Sequence, residues 1–206
     1  TITDMYKMKD QEYAAKEMLS NVIQQISPVT PTNLQKIINN FEFITFDKDA
    51  VILKDNEIPT YCYFVVKGIV RVYYNTDGRQ IIDWFAEEGA FIGNLYAYIT
   101  KSGFDIYESI EEVALLRAKY ADIEHLLAQS HEIECVARKL IELYYVQYVE
   151  RSHQLKGLPA EEKYRLFVKN YGKFVSRIPL KYIADYLGIT SETLSRIRAK
   201  ERKKPK

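Results

Sequence analysis

Apolar positions recur with three different periods along the chain. Between residues 10 and 40, Leu19, Val22, Ile23 and Ile26 recur at three and four, the spacing of a helix with one buried face. Pro28 and Pro31 interrupt that stretch, and Thr30 is placed as an N-cap for a second helix that begins at Pro31 and carries Leu34, Ile37 and Ile38. From Phe41 to about Leu116 the pattern becomes that of strands: Phe41, Phe43 and Ile44, then Val51-Ile52-Leu53, then Tyr61 to Val66, then Ile69 to Tyr74. Asn75-Thr76-Asp77-Gly78 is a hairpin signal, with Ile81 to Phe85 as the returning strand. Short strands at this spacing predict a small sandwich or jelly roll.

The helical period returns after Ala118, through Ile123, Leu126 and Leu127 and on to Ile133, Val136, Leu140, Leu143 and Tyr144, as one long helix from about 119 to 152. Alternating threes and fours over about three heptads is the spacing of a coiled coil. Two readings are open: a helix packed on its own sheet, or a seam for self-association, which the position between two domains favours. Residues 152–160, with Gly157 and Pro159, read as a linker. Ala160 then opens a helix with Glu161 and Glu162 in its first turn, which suits the positive end of a helix.

The most informative segment is Ile178 to Lys200. Pro179 is placed to start a helix with Ile183, Ala184 and Leu187 on one face. Gly188 stops it, Ile189 packs under the turn, and Thr190 or Ser191 caps a second helix whose buried side is Leu194 and Ile197. Ala184 is small where two helices cross closely. Helix, tight glycine turn and helix is the logic of a helix-turn-helix; the other reading is two packed helices with a solvated charged face. Ser191, Glu192, Ser195, Arg196 and Lys200 are left outward. A recognition helix reads bases with its N-terminal residues: arginine can donate twice to guanine, and glutamate can accept from cytosine. Thr193, Arg198, Lys200, Arg202 and Lys203 are better placed for phosphates.

Charge at first argues against this. There are 29 Lys+Arg against 28 Asp+Glu in 206 residues. The balance is uneven, however. Residues 1–130 carry 12 basic and 19 acidic side chains, a net of −7, and residues 131–206 carry 17 and 9, a net of +8. Residues 154–206 alone hold 14 against 5, a net of +9 around the helix-turn-helix. An acidic front and a basic back predict two regions with different partners, and the basic end suits double-stranded DNA. Two cysteines, Cys62 and Cys135, cannot build a disulfide framework or a four-cysteine metal site, which predicts a cytoplasmic, reduced protein. No apolar run reaches the length of a membrane helix, and no membrane partner is expected.

The whole chain resembles the Crp/Fnr family of bacterial transcription regulators. The resemblance lies in Tyr63-Phe64-Val65-Val66-Lys67-Gly68-Ile69-Val70-Arg71, in Glu88-Gly89-Ala90-Phe91-Ile92-Gly93, and in Ile183 through Arg198. It implies an α+β chain: an N-terminal β jelly roll (double-stranded β-helix) of the cyclic-nucleotide-binding type with flanking helices, a long dimerisation helix, and a C-terminal helix-turn-helix. The expected division is a sensor domain at 1–118, a dimerisation helix at 119–153 and a DNA-binding domain at 154–206. The resemblance also places Glu192 and Arg196 as base contacts, with Ser191 where a further arginine is usual. It implies a homodimer on a palindromic operator, RNA polymerase as a further partner, and a small-molecule effector.

Members of that family that bind a cyclic nucleotide use Gly-Glu-Leu followed by Arg-Ser or Arg-Thr. Here the corresponding segments are Gly93-Asn94-Leu95 and Lys101-Ser102. Asn94 replaces the acid that holds the ribose, Lys101 offers a point charge where arginine offers a fork, and Asp105 and Glu108 would repel a phosphate. Cyclic AMP is therefore not the expected effector. Tyr96, Tyr98, Phe104 and Tyr107 could line a more apolar site or belong to the core. No cofactor, metal site or catalytic residue is identified: His125, His131 and His153 lack metal-ligand spacing, and no phosphate loop or nucleophile motif occurs. The reading from another class is a jelly-roll sensor or scaffold whose basic C-terminal region binds a protein.

Overall fold

The computed structural model describes residues 2–202, with side chains from Met8 onward. Helix α1 spans Ile2–Ile26 and α2 spans Pro31–Asn39. Strands follow at Glu42–Phe46 (β1), Val51–Leu53 (β2), Tyr61–Lys67 (β3), Val70–Thr76 (β4), Arg79–Ala86 (β5) and Phe91–Ile92 (β6). A short helix α3 at Leu95–Thr100 precedes β7 (Ile106–Ser109) and β8 (Val113–Lys119). Helices α4 (Tyr120–Gln129), α5 (His131–Gly157), α6 (Ala160–Tyr171), a 3-10 turn at Gly172–Ser176, α7 (Leu180–Leu187) and α8 (Ser191–Arg202) complete the chain.

The strands form two four-stranded sheets, ordered β1-β8-β3-β6 and β2-β7-β4-β5. This is the α+β jelly-roll arrangement expected from the pattern. The β3–β8 ladder is antiparallel, from Tyr61 opposite Lys119 to Val65 opposite Leu115, with a bulge before Lys67. Alternation explains which residues face the helices. Phe64, Leu116 and Ala118 join Ala15, Leu19 and Ile23 of α1, Ile37 and Ile38 of α2, and Ile133 and Val136 of α5 in one buried cluster. The two-residue turn Asp77-Gly78 has positive φ at both positions, 47° and 72°, as a tight hairpin with right-handed twist requires.

The chain divides into two compact units: residues 1–72 with 85–143, and residues 73–84 with 144–206. In the first, the carboxylate of Glu108 on β7 meets Arg71 on β4 at 2.8 Å, with side chains only 13% and 5% exposed. In the second, the end of β5 packs on the second half of α5. Trp84 stands edge-on to Tyr144 at 6.1 Å, and Arg151 lies 3.5 Å from Asp83.

Two expectations need correction. The single helix from 119 to 152 is two helices, because Ser130 takes an extended backbone (φ −149°, ψ 114°) between α4 and α5. Its hydroxyl then accepts the Ile133 amide, so the serine caps the second helix. The linker at 152–160 is also largely absent. Helix α5 continues to Gly157, which leaves Leu158 and Pro159 between it and α6. Gln154, Leu155 and Lys156 are good helix formers, and the stop comes only at Gly157 and Pro159.

Candidate nucleic-acid interface and effector segment

Helix α7 buries Ile183, Ala184 and Leu187, each at most 1% exposed. It ends at Gly188 with φ +66°. The Gly188 amide donates to Asp185 O, and the Ile189 amide donates to Ala184 O at 3.0 Å. This pair of bonds closes the last turn and needs a residue that tolerates the left-handed region. Thr190 then caps α8: its Oγ1 accepts the Thr193 amide at 3.2 Å. Leu194 and Ile197 are the buried residues of α8. Behind them, Phe167, Tyr171 and Tyr186 form an aromatic cluster with ring centroids 4.7 to 6.0 Å apart, which braces α6 against α7. Sequence reading missed that cluster, although Tyr164, Phe167 and Tyr171 recur at three and four.

The arrangement leaves Thr190, Ser191, Glu192, Ser195, Arg196 and Lys200 exposed and Thr193 and Arg198 half-buried. At 100° per residue, Glu192, Ser195, Arg196 and Ala199 point most directly away from the buried pair. Thr193 and Lys200 lie on one flank of α8, and Arg198 and Arg202 on the other. Two clefts follow these flanks. One, of about 480 Å³, lies between Thr193, Arg196 and Lys200 and the start of α6 at Pro159 to Glu162. The other, of about 350 Å³, includes Arg198 and Arg202 with Tyr164, Arg165 and Val168. Arg196 is partly oriented already, its guanidinium donating to Thr193 Oγ1 at 3.3 Å. Thr193 Oγ1 also accepts the Thr190 hydroxyl at 3.0 Å. Lys200 is engaged otherwise, its Nζ 2.7 Å from Glu161 Oε1. Lys203 lies outside the described residues.

The effector segment is built differently from an anion site. Asn94 is 5% exposed; its Oδ1 accepts the Ala97 amide at 2.8 Å and so caps α3. Its Nδ2 donates to Asp105 Oδ2 at 2.8 Å. Both ends of the carboxamide are thereby used, and the group facing it is an acid. Gly93 is in close quarters, since a Cβ there would come within 2.8 Å of the Tyr120 hydroxyl. Lys101 sits in the left-handed region at φ 58°, with Nζ 4.2 Å over the Tyr98 ring. Leu95 and Ser102 are exposed. Of the aromatics nearby, Tyr107 is core at 2% exposure, whereas Tyr96 and Phe104 are exposed with rings 5.8 Å apart.

The residues of the expected seam on α5 are not equivalent. Ile133 and Val136 are buried in the unit's own core, which is the packing alternative for that part of the helix. Leu140 and Tyr144 are half-buried and Leu143 is 46% exposed. The stripe left open is Ile141, Tyr145 and Tyr148, spaced four and three, at 50%, 66% and 55% exposure. Cys62 is half-buried, its thiol donating to Ala118 O, and burial pushes it up to about 11, which makes it a poor thiolate. Among the described residues no helix is long and apolar enough to cross a membrane.

Comparison with known proteins agrees with this geometry. The family model "Cyclic nucleotide-binding domain" matches residues 43–130. FixK2 from Bradyrhizobium japonicum is 25% identical, with 78% of this chain and 83% of that one covered and a TM-score of 0.64. The regulator CLP from Xanthomonas campestris is 13% identical over 84% of this chain and 92% of that one, with a TM-score of 0.66. A candidate transcriptional regulator of the Crp/Fnr family from Eubacterium rectale is 15% identical over 84% of each chain, with a TM-score of 0.65. No curated protein sequence matches the chain. Residues 43–130 thus form a cyclic nucleotide-binding-type domain, and the chain carries the fold of the Crp/Fnr transcription regulators.

Proposed function

We propose that the protein is a homodimeric, sequence-specific DNA-binding transcription regulator of the cytoplasm, without catalytic activity of its own. The observation that carries this reading is α8. It projects Glu192, Ser195 and Arg196 from a glycine-closed turn in a region of net charge +9, while the front of the chain is acidic. Glu192 and Arg196 contact base edges; Thr190, Ser191, Thr193, Ser195 and Arg198 position the helix on the backbone. Function divides as sensor (1–118), dimer segment (119–153, carrying α4 and most of α5) and DNA-binding domain (154–206). Two copies address half-sites about 34 Å apart on a palindrome, where they block or recruit RNA polymerase. The acidic front keeps the sensor off the DNA, so that only the basic end docks.

The effector of the jelly roll is not cyclic AMP, because Asn94 is committed to the α3 cap and to Asp105. A small molecule there acts only as far as it binds two states of the dimer unequally. Selection of bound sequences from a random duplex pool is the test. A palindromic consensus is expected; absence of binding above background at low salt defeats the regulator reading. A thermal-shift series with cyclic AMP, cyclic GMP and cyclic di-GMP, the last because CLP is described as responsive to it, should show no shift for cyclic AMP.

A further inference from the structure

Helix α8 buries two apolar side chains, Leu194 and Ile197, and both lie in its first two turns. Beyond them the sequence is Arg198-Ala199-Lys200-Glu201-Arg202, with no large apolar residue to seat the second half of the helix. What meets that half is charge from α6. Lys200 Nζ is 2.7 Å from Glu161 Oε1, and Arg165 Nε is 3.1 Å from Glu201 Oε1. Arg165 also approaches Glu161, with Nη2 3.6 Å from Oε2. Signs therefore alternate from Lys200 through Glu161 and Arg165 to Glu201, and the chain of charges joins the first turns of α6 to the end of α8.

We propose that these four residues set the angle of α8 on α6, and that Lys200 is a positioning residue for recognition, not a phosphate contact. The proposal deepens the DNA-binding reading and takes its functional meaning from it. Lys200 sits on the flank of α8 that faces the start of α6, whereas Arg198 and Arg202 line a second cleft with Tyr164, Arg165 and Val168. Were Lys200 to leave for a DNA phosphate, the Glu161 carboxylate would be left facing that phosphate with one cation fewer, which costs repulsion. Arg196 shares the cleft with Lys200 and Glu161, so the clamp sits next to the side chain that reads a base. Each exposed pair is weak alone, but several charges joined in one network can hold a geometry that single pairs do not.

The experiment uses the full chain and its selected operator, with affinity measured across a salt series. For K200Q the slope of log affinity against log salt should be unchanged; a slope reduced by about 0.9 per subunit, about 1.8 for the homodimer, marks a lost phosphate contact and overturns the proposal. E161K places two cations together and should weaken binding. The swap E161K/K200E should return affinity to within about threefold of wild type, as coupled neighbours do. If Lys200 touched DNA, Glu at 200 would make the swap worse than E161K, and the proposal fails. Hydrogen exchange without DNA reads the clamp independently: in E161Q the amides of 198–202 should exchange faster, and unchanged exchange overturns it. If wild type binds no DNA, it is the function above that fails, and the exchange result alone decides the clamp.

Discussion

Glu132, in the first turn of α5, caps α2 from 102 residues away: its carboxylate accepts the Thr30 amide at 3.0 Å and the Thr30 hydroxyl at 2.7 Å. Thr30 occupies the cap position but makes no side-chain cap of its own. The donors from Asn33 and Thr30 hold the Glu132 carboxyl below its usual range. A carboxyl depressed by folding stabilises above its unfolded value, and that contribution is lost as pH falls through the folded value. E132Q should therefore lower the urea midpoint at pH 7, and the gap from wild type should close as pH falls below about 4. A gap that persists in acid would show that the charge is not what caps the helix.

The Arg71–Glu108 pair makes a stronger demand, because both side chains are nearly excluded from water. Removing one partner leaves the other buried without its opposite charge, which typically costs about 3–5 kcal/mol. E108A should lose about that much in equilibrium unfolding. R71M/E108L, which removes both charges and keeps volume, should lose less than E108A alone. A double variant at least as unstable as the single one would mean that the pair is held for reasons other than its mutual charge.

These two contacts also show where sequence reading stops. Strands and the helix-turn-helix were legible because local chemistry dictates them: Asp77-Gly78 can only be a turn, and Gly188 with its flanking apolar residues can only end one helix before another. The break at Ser130 was not legible, since the apolar period runs from Leu126 and Leu127 to Ile133 without a slip. Helix α3 has six residues, too few for a period; its one signal is Asn94 as a cap, and the sequence alone shows Asn94 only as the replacement of a ribose-binding acid. The expected seam mixed two environments, because heptad spacing cannot say whether Ile133 and Val136 meet a second chain or α1. Glu132 and Glu161 looked like ordinary first-turn acids, and only the fold shows which distant groups they hold.

Gly188 is the backbone condition for the turn that joins α7 to α8. At φ +66° an L side chain pays a penalty of about 1–2 kcal/mol. Gly188→Ala should destabilise the C-terminal unit by about that amount, although no atom lies within 4 Å of where its Cβ would stand. Thr190→Ala should cost about 1 kcal/mol through the lost cap. Thermal unfolding followed by far-UV dichroism checks both. A neutral G188A would mean that the turn relaxes to negative φ.

Arg196 and Arg198 are two residues apart on α8 and should fail in different ways. Arg196→Ala should cost about 1–3 kcal/mol on the selected operator and relax preference at one base position. Arg198→Ala should weaken binding to all sequences alike and lower the salt slope by about 0.9 per subunit, about 1.8 for the homodimer. Competition binding against single-base operator variants separates the two, and a uniform loss in R196A would move that residue to the backbone.

The open stripe of α5 gives the proposed dimer a face to test. Ile141 and Tyr145 are 50% and 66% exposed, so charging them should leave each chain folded. Val136 is 7% exposed within the core cluster, and charging it should unfold the chain. If wild type sediments as the proposed dimer, I141E/Y145E is accordingly expected to sediment as a folded monomer at the same concentrations. Such a monomer reaches one half-site, so its operator affinity should fall steeply while its preference within the half-site survives. A dimer that persists in I141E/Y145E would put the seam elsewhere, and Leu140, Leu143 and Tyr144 would then be the residues to charge.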